Sequence, residues 1–256
     1  MQQLFRLDGK VVLVTGASSG MGKAIALAMG AQGAVVIVSS KDAGACEEVV
    51  AELSVANVEA MALPCDMSRK EEIEHLAQKV LEKYERIDVL VSGVGVAPVG
   101  SSGTIETTHF EDVMKINVQN ALYLTQLLLP SMVKRCDGVL IYLASIASVR
   151  GNKSIGLYGM SKAALVQMVR NIAVEYGPYN IRANAISPGM IDTPFSQSLM
   201  QNKAFMERRL ALTPLRRVGT PEEIAGVVVM LASNAGGFIT GQNIIVDGGT
   251  TISDGN

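Results

Sequence analysis

Short runs of branched apolar residues alternate along the chain with longer stretches whose apolar positions recur at helical spacing. Val11-Val12-Leu13-Val14-Thr15 is the first such run, and its length and β-branched content predict a buried strand. The same pattern predicts strands near 10–15, 34–39, 58–62, 87–92, 138–144, 180–186 and 243–246. Helices are predicted near 20–31, 42–54, 68–84, 108–134, 156–176 and 221–234. Strands that alternate with helices pair in parallel, and ligands then bind at the carboxyl ends of the strands. The expectation is an α/β fold: a doubly wound parallel sheet of about seven strands with helices on both faces, in a single domain spanning 1–256. Helix 108–134 is apolar nearly all round at Ala121-Leu122-Tyr123-Leu124 and Leu127-Leu128-Leu129, which predicts burial on more than one side. The segment after the sixth strand breaks the rhythm. Pro188, Gly189, Pro194 and Pro214 punctuate an apolar stretch carrying Phe195, Leu199, Met200, Phe205, Met206 and Leu210. An apolar insert between breakers at a strand's carboxyl end suits a substrate lid over 190–214, or else a fixed pair of surface helices.

Candidate chemistry enters at the first strand-to-helix turn. Val11–Thr15 runs directly into Gly16-Ala17-Ser18-Ser19-Gly20-Met21-Gly22, and Lys23 to Met29 has the composition of a helix. Glycines let the backbone approach a pyrophosphate closely, and the free N–H groups of the helix N-terminus face the anion. The spacing, G-x-x-x-G-x-G, differs from the standard G-x-G-x-x-G, so this motif taken alone is also compatible with an ordinary glycine-rich turn. Tyr158 and Lys162 lie four residues apart, which on a helix places both on one face, about 6 Å apart along the axis. An ammonium beside a phenol favours phenolate, which predicts a Tyr158 pKa below about 10 and proton exchange with an alcohol or carbonyl oxygen near neutral pH. Taken alone, that pair more often decorates a solvated helix face.

Together these motifs resemble the short-chain dehydrogenase/reductase family. Thr15-Gly16 through Gly22 match, as do Ser145 thirteen residues before Tyr158, Lys162, and Asn117 in Lys115-Ile116-Asn117-Val118. Ser187-Pro188-Gly189 with Thr193, and Gly241-Gln242-Asn243-Ile244-Ile245-Val246-Asp247-Gly248-Gly249, extend the match. It runs from about Leu7 to Gly249, in the family's order and spacing. The resemblance implies a Rossmann-type sheet and hydride transfer between a nicotinamide and a carbonyl carbon. It makes Tyr158 the general acid or base and Ser145 the donor to the carbonyl oxygen, with Ser148 a nearby competitor. It implies that Lys162 lowers the tyrosine pKa and holds the nicotinamide ribose. Asn117 would sit at a kink and bind a relay water through its backbone carbonyl. Cofactor contacts are implied for Gly16, Ser18, Ser19, Gly20, Met21, Gly22, Ser39, Ser40, Lys41, Asp66, Met67, Gly93, Tyr158, Lys162, Pro188, Gly189, Ile191 and Thr193. Among these, Asp66 would contact the adenine amine, or equally cap the following helix, and Ile191 and Thr193 would bracket the carboxamide. The family's Asn-Asn-Ala-Gly is replaced here by Ser92-Gly93-Val94-Gly95. Losing both amides removes hydrogen-bonding groups and adds backbone freedom, which bears on local rigidity and cofactor affinity more than on the chemistry. Helix packing between copies of the chain is also implied, giving a homotetramer.

Charge bears on the cofactor. The second predicted strand ends Val38-Ser39-Ser40-Lys41, with serine and lysine where an NAD site holds the ribose with an acid. Two hydroxyls and an ammonium suit a phosphate dianion, so NADP(H) is favoured over NAD(H), with Asp42 as a complication one residue on. The expected substrate pocket comprises Val96 within Val94 to Val99, Ile146, Leu157, Met190 and Phe195 with the rest of the lid. That apolar set suits a small or medium ketone or its alcohol. The expected activity is that of an NADPH-dependent carbonyl reductase. A 3-oxoacyl-[acyl-carrier-protein] reductase is the alternative, and a catalytically silent NADP-binding sensor the outsider. Lys134-Arg135-Cys136 and Tyr176-Gly177-Pro178-Tyr179 give an acidic carrier only half a basic docking site. Net charge is −2 and the pI about 5.8, leaving no footprint for nucleic acid or anionic membrane. No apolar run reaches membrane-spanning length, and Met1 to Lys10 lacks a signal peptide's apolar core. Charged residues make up only 18% and apolar residues 48%, which adds to the expectation of subunit interfaces. Cys46, Cys65 and Cys136 have no disulfide or ligand spacing, so reduced thiols and a cytoplasmic location are expected. His75 and His109 fall on separate predicted helices, so no metal site is expected.

Overall fold

Val11–Thr15 (β1) is buried at every position, as its unbroken apolar run requires of a strand covered on both faces. The computed structural model describes residues 2–253; the rest of the expected 1–256 domain lies outside them. Six further strands follow: β2 (Val35–Ser39), β3 (Ala60–Ala62), β4 (Val89–Ser92), β5 (Gly138–Leu143), β6 (Ile181–Pro188) and β7 (Asn243–Val246). They form one sheet in the order β3-β2-β1-β4-β5-β6-β7, and each neighbouring pair is parallel.

Alternate strand residues feed two cores. Leu13, Ile37, Leu90 and Leu140 face one side, where they meet Ile73 of α3 (Lys70–Tyr84), Leu124 of α5 (Asn120–Arg135) and Leu165 of α6 (Gly156–Tyr176). Val12, Val14, Val36 and Ile141 face the other, against α1 (Gly20–Ala31), α2 (Ala43–Val55) and α9 (Pro221–Ala232). Period-two alternation between two covered faces produces the doubly wound architecture. The chain runs from β1 outward to β3 and then crosses to β4 on the opposite side of β1. The turns leaving β1 and β4 therefore diverge, and a crevice opens at their carboxyl ends.

One expected element differs. The helix expected over 108–134 is α4 (Thr107–Met114), a π-helical turn at Lys115–Gln119, and then α5. The wide turn falls at Asn117, whose buried side chain is bonded outward to two other elements, and π-turns inside α-helices commonly mark functional positions. The lid segment carries two short helices, α7 (Gln197–Met200) and α8 (Lys203–Ala211), and neither has a buried residue.

Candidate functional site

The turn from β1 into α1 forms the floor of a cleft of about 380 Å³. Ser19 precedes α1 without a side-chain cap on the helix, so the first-turn N–H groups have no side chain competing for them. Gly22 is required by contact: a Cβ there would lie 2.1 Å from the Gly16 carbonyl oxygen. Gly16, Ser18, Ser19, Gly20, Met21 and Gly22 all line the cleft. The Ser18 hydroxyl donates to Ser40 Oγ at 2.9 Å, tying the turn to the end of β2. Ser40 and Lys41 line the same wall. Ser39 is buried instead, with its hydroxyl unpartnered. Asp42 turns away to cap α2, accepting from the Ala45 N–H at 3.0 Å, which removes it as a competitor for the ribose. Across the cleft are Asp66 and Met67. The Asp66 carboxylate accepts from the Ser68 N–H at 2.8 Å. That bond, with the Lys41 charge contributing less, holds its carboxyl below the usual range. The surfaces fit a dinucleotide phosphate: open backbone donors, a cradle that a methyl group would fill, and an ammonium free of ion pairs among the described residues.

Gly93 bears on the rigidity of the sheet where the two asparagines are replaced. Its N–H donates to Thr15 Oγ1 at 3.2 Å, and a Cβ there would stand 2.7 Å from the Thr15 carbonyl oxygen. The strand ends are thus already tied and too close to admit an asparagine without movement. Asn117 does comparable work nearby. Its Oδ1 accepts from Val96 N–H at 2.8 Å, and its Nδ2 donates to the Val96 carbonyl and to Ser161 Oγ, both at 2.9 Å. The side chain is therefore fully occupied in joining the loop after β4 to α6.

Tyr158 and Lys162 project from the first turns of α6. Lys162 is buried, and its Nζ donates to the Leu143 carbonyl at 2.8 Å, 5.6 Å from the centre of the Tyr158 ring. Burial pushes the Lys162 ammonium down to about 8. Burial also pushes the Tyr158 phenol up, against a weaker downward effect of its hydrogen bond with Ser145. The expected lowering of the tyrosine by the lysine is not what the geometry produces: desolvation dominates, and the ammonium is engaged by a carbonyl.

Beyond Tyr158 the cleft continues into a smaller pocket of about 130 Å³. Tyr158, Met21, Ala144, Thr193 and Phe195 line both spaces. Ser145 lines the smaller one and accepts from the Ala147 N–H at 3.1 Å, whereas Ser148 is turned toward Ser187. Of the expected substrate-pocket residues, Ile146, Met190 and Phe195 are there. Val96 instead lines the larger cleft. Leu157 lines a separate cavity with Val99 and His109, because the first turn of α6 points it away from Tyr158. Pro188, Gly189 and Ile191, expected at the cofactor, border the smaller pocket. The Phe195 ring lies 6.5 Å from that of Tyr158 and is 60% exposed. The pocket also holds four polar residues not anticipated from sequence: Arg150, Asn152, Ser196 and Arg209. Arg150 could have been noticed from its place between Ser145 and Tyr158. Nothing in the pattern of α8 separates Arg209 from its exposed neighbour Arg208.

A family model described as Enoyl-(Acyl carrier protein) reductase matches residues 16–251. The 3-oxoacyl-[acyl-carrier-protein] reductase of Thermotoga maritima is 34% identical over 247 residues, covering 96% of this chain and 100% of the relative. The chain belongs to the short-chain dehydrogenase/reductase family. A 7α-hydroxysteroid dehydrogenase structure, complexed with NADH and 7-oxo glycochenodeoxycholic acid, superposes with TM-score 0.94 at 34% identity and covers 97% of both chains. A putative NAD(P)-dependent gluconate 5-dehydrogenase from Beutenbergia cavernae with bound NADP gives TM-score 0.93 at 30% identity, covering 98% of this chain and 100% of its own. This short-chain dehydrogenase/reductase is accordingly an oxidoreductase of the alcohol–ketone pair that uses a nicotinamide cofactor. Its neighbours span both forms of that cofactor.

Proposed function

We propose that this short-chain dehydrogenase/reductase reduces a ketone to a secondary alcohol with NADPH, reversibly. The observation that carries the reading is Tyr158, which walls both the larger cleft and the smaller pocket. The cleft would hold the dinucleotide along Gly16–Gly22 and the pocket the ketone, with the phenol reaching each. A bound nicotinamide supplies the hydride to the carbonyl carbon. Tyr158, kept protonated at neutral pH by burial, gives its proton to the oxygen as the C=O bond becomes C–OH. Ser145 donates a hydrogen bond to that oxygen as charge develops. Lys162, still an ammonium at pH 7, stabilises the phenolate left behind. Asn117 holds the loop after β4 against α6, and the water relay through its carbonyl is part of this proposal. The fold also leaves Leu122, Met160 and Val174 exposed on α5 and α6 and Phe238 near the C-terminus, surfaces that fit a homotetramer; the reading places the enzyme in the cytoplasm, with 190–214 as the lid.

NADPH is favoured over NADH by Ser40 and Lys41 after β2 and by Ser18 of the glycine turn, with Asp42 turned away to cap α2. The test is NADPH and NADH oxidation against a panel of ketones and an acetoacetyl thioester, in wild type and Lys41→Asp. Ketone turnover with NADPH is expected, and the NADPH/NADH ratio of kcat/KM should fall at least tenfold in Lys41→Asp, roughly the value of one charge-assisted contact. An unchanged ratio removes the phosphate assignment. Preference for the thioester would transfer the chain to the activity of its Thermotoga maritima relative. Bound NADPH without turnover of anything would leave a sensor.

A further inference from the structure

The smaller pocket is charged in one sign only. Arg150 and Arg209 line it together with Asn152, and no aspartate or glutamate does. Both arginines are half-buried, and among the described residues neither guanidinium has an ion pair or a hydrogen-bond acceptor. That distinguishes them from Arg6, Arg69, Arg86, Arg135 and Arg217, which meet carboxylates. It also distinguishes them from Arg182, whose guanidinium donates to two backbone carbonyls. Arg208 also lacks a partner but stands exposed in water.

Withdrawing a guanidinium from water without an acceptor is costly, and placing a second one close by adds repulsion. The Arg209 pKa is pushed down by burial first and then by the charges of Arg150 and Arg208, so the two pocket cations sense each other. The guanidinium of Arg209 also lies 5.5 Å from the centre of the Phe205 ring, a contact that restricts its plane. The two arginines come from different parts of the fold. Arg150 follows the Ser145 segment of the body, and Arg209 belongs to α8 in the 190–214 insert. Arg209 also borders a neighbouring cavity lined by Glu223 and Asp247 but pairs with neither. Both arginines border the smaller pocket, and planar guanidinium donors match a carboxylate in geometry as well as charge.

We propose that this pocket selects ketones bearing a carboxylate, held between Arg150 and Arg209 while the ketone oxygen meets Ser145 and Tyr158. This rests on the ketone-reductase reading and names its substrate class. A bound carboxylate would also link the insert to the body, so that substrate charge and lid position are coupled.

The experiment measures kcat/KM with NADPH for 4-oxopentanoate, 5-oxohexanoate and 6-oxoheptanoate, each against its methyl ester. Acetoacetyl-coenzyme A is compared with the uncharged acetoacetyl-N-acetylcysteamine in the same assay. Wild type should prefer at least one acid over its ester by tenfold or more. Arg150→Ala and Arg209→Ala should each bring that ratio close to 1, a loss on the order of 10–100-fold for a charge-assisted contact. Arg208→Ala should leave the ratio as in wild type. Because acid and ester are compared within each variant, partial misfolding cancels, and Arg209→Lys should retain part of the preference. Esters turned over as well as acids by wild type would overturn the proposal while ketone reduction stands. A charge preference confined to the coenzyme A thioester would assign the arginines to a phosphate and likewise overturn it. No turnover of either acids or esters would instead remove the ketone-reductase reading beneath it.

Discussion

At Gly22 a single added methyl group would come 2.1 Å from a backbone oxygen, whereas at Phe195 a whole aromatic ring stands 60% exposed. The two positions line the same cleft. The turn after β1 is built from backbone: donors, close approaches and a helix end, anchored to a strand buried at every residue. The 190–214 insert is built from side chains on two short helices without a buried residue. A dinucleotide presents invariant phosphates, and fixed backbone groups recognise them without adaptation. A variable substrate is met by groups that can move and can be exchanged without unfolding the sheet. On the proposed reading, the rigid part would bind the common partner and the weakly packed part would choose the individual one.

The contrast breaks most visibly by substitution. Gly22→Ala should cost about 3 kcal/mol or more, because the obstacle is backbone and cannot rotate away, and should weaken NADPH binding at least tenfold. Phe195→Ala should change stability by less than about 0.5 kcal/mol while altering KM for ketones. Denaturant unfolding with cofactor titration checks both, and comparable stability losses at the two sites would dissolve the distinction.

The same contrast governs what was readable beforehand. Strand positions were legible because Val12 and Leu13 continue an unbroken apolar run, and the glycine turn because Gly22 meets the nearby Gly16 backbone and Gly16 and Gly20 take a left-handed backbone conformation. The kink at Asn117 came from the resemblance alone; the residue pattern did not show it, since the π-turn goes with bonds to Val96 and Ser161 that only the tertiary fold brings near. The behaviour of Tyr158 was misjudged for a related reason. The spacing to Lys162 reports proximity, but the depth of burial, which decides the direction of the pKa shift, is a property of the packed sheet. Arg209 was invisible because helix spacing does not show which way an insert folds back. Closeness in sequence to Tyr158 does not bring Leu157 to the pocket, because one residue along a helix turns a side chain by about 100°.

A smaller effect sharpens the rigid half of the comparison. Lys162 is pushed down to about 8 from 10.5, so between those values the unfolded chain holds the proton that the folded chain has released. Stability attributable to Lys162 therefore rises with pH across that window, and below about pH 8 the folded chain bears the full cost of a buried ammonium. Tyr158 acts oppositely only above about pH 10, where the unfolded phenol ionises first. Relative to Lys162→Met, wild type should gain about 2–3 kcal/mol between pH 7.5 and pH 10.5, read from urea unfolding of both proteins without cofactor. A gap that does not change with pH would mean that the lysine is hydrated.

The account stands on one shared wall, the phenol between cleft and pocket. Single-turnover reduction of a ketone by Tyr158→Phe, with NADPH binding measured on the same sample, tests it most directly. The account predicts NADPH affinity within a few fold of wild type and a hydride-transfer rate lower by about 10²–10⁴-fold, the contribution of a positioned general acid. Turnover near the wild-type rate, or a rate loss explained entirely by lost NADPH binding, would contradict it.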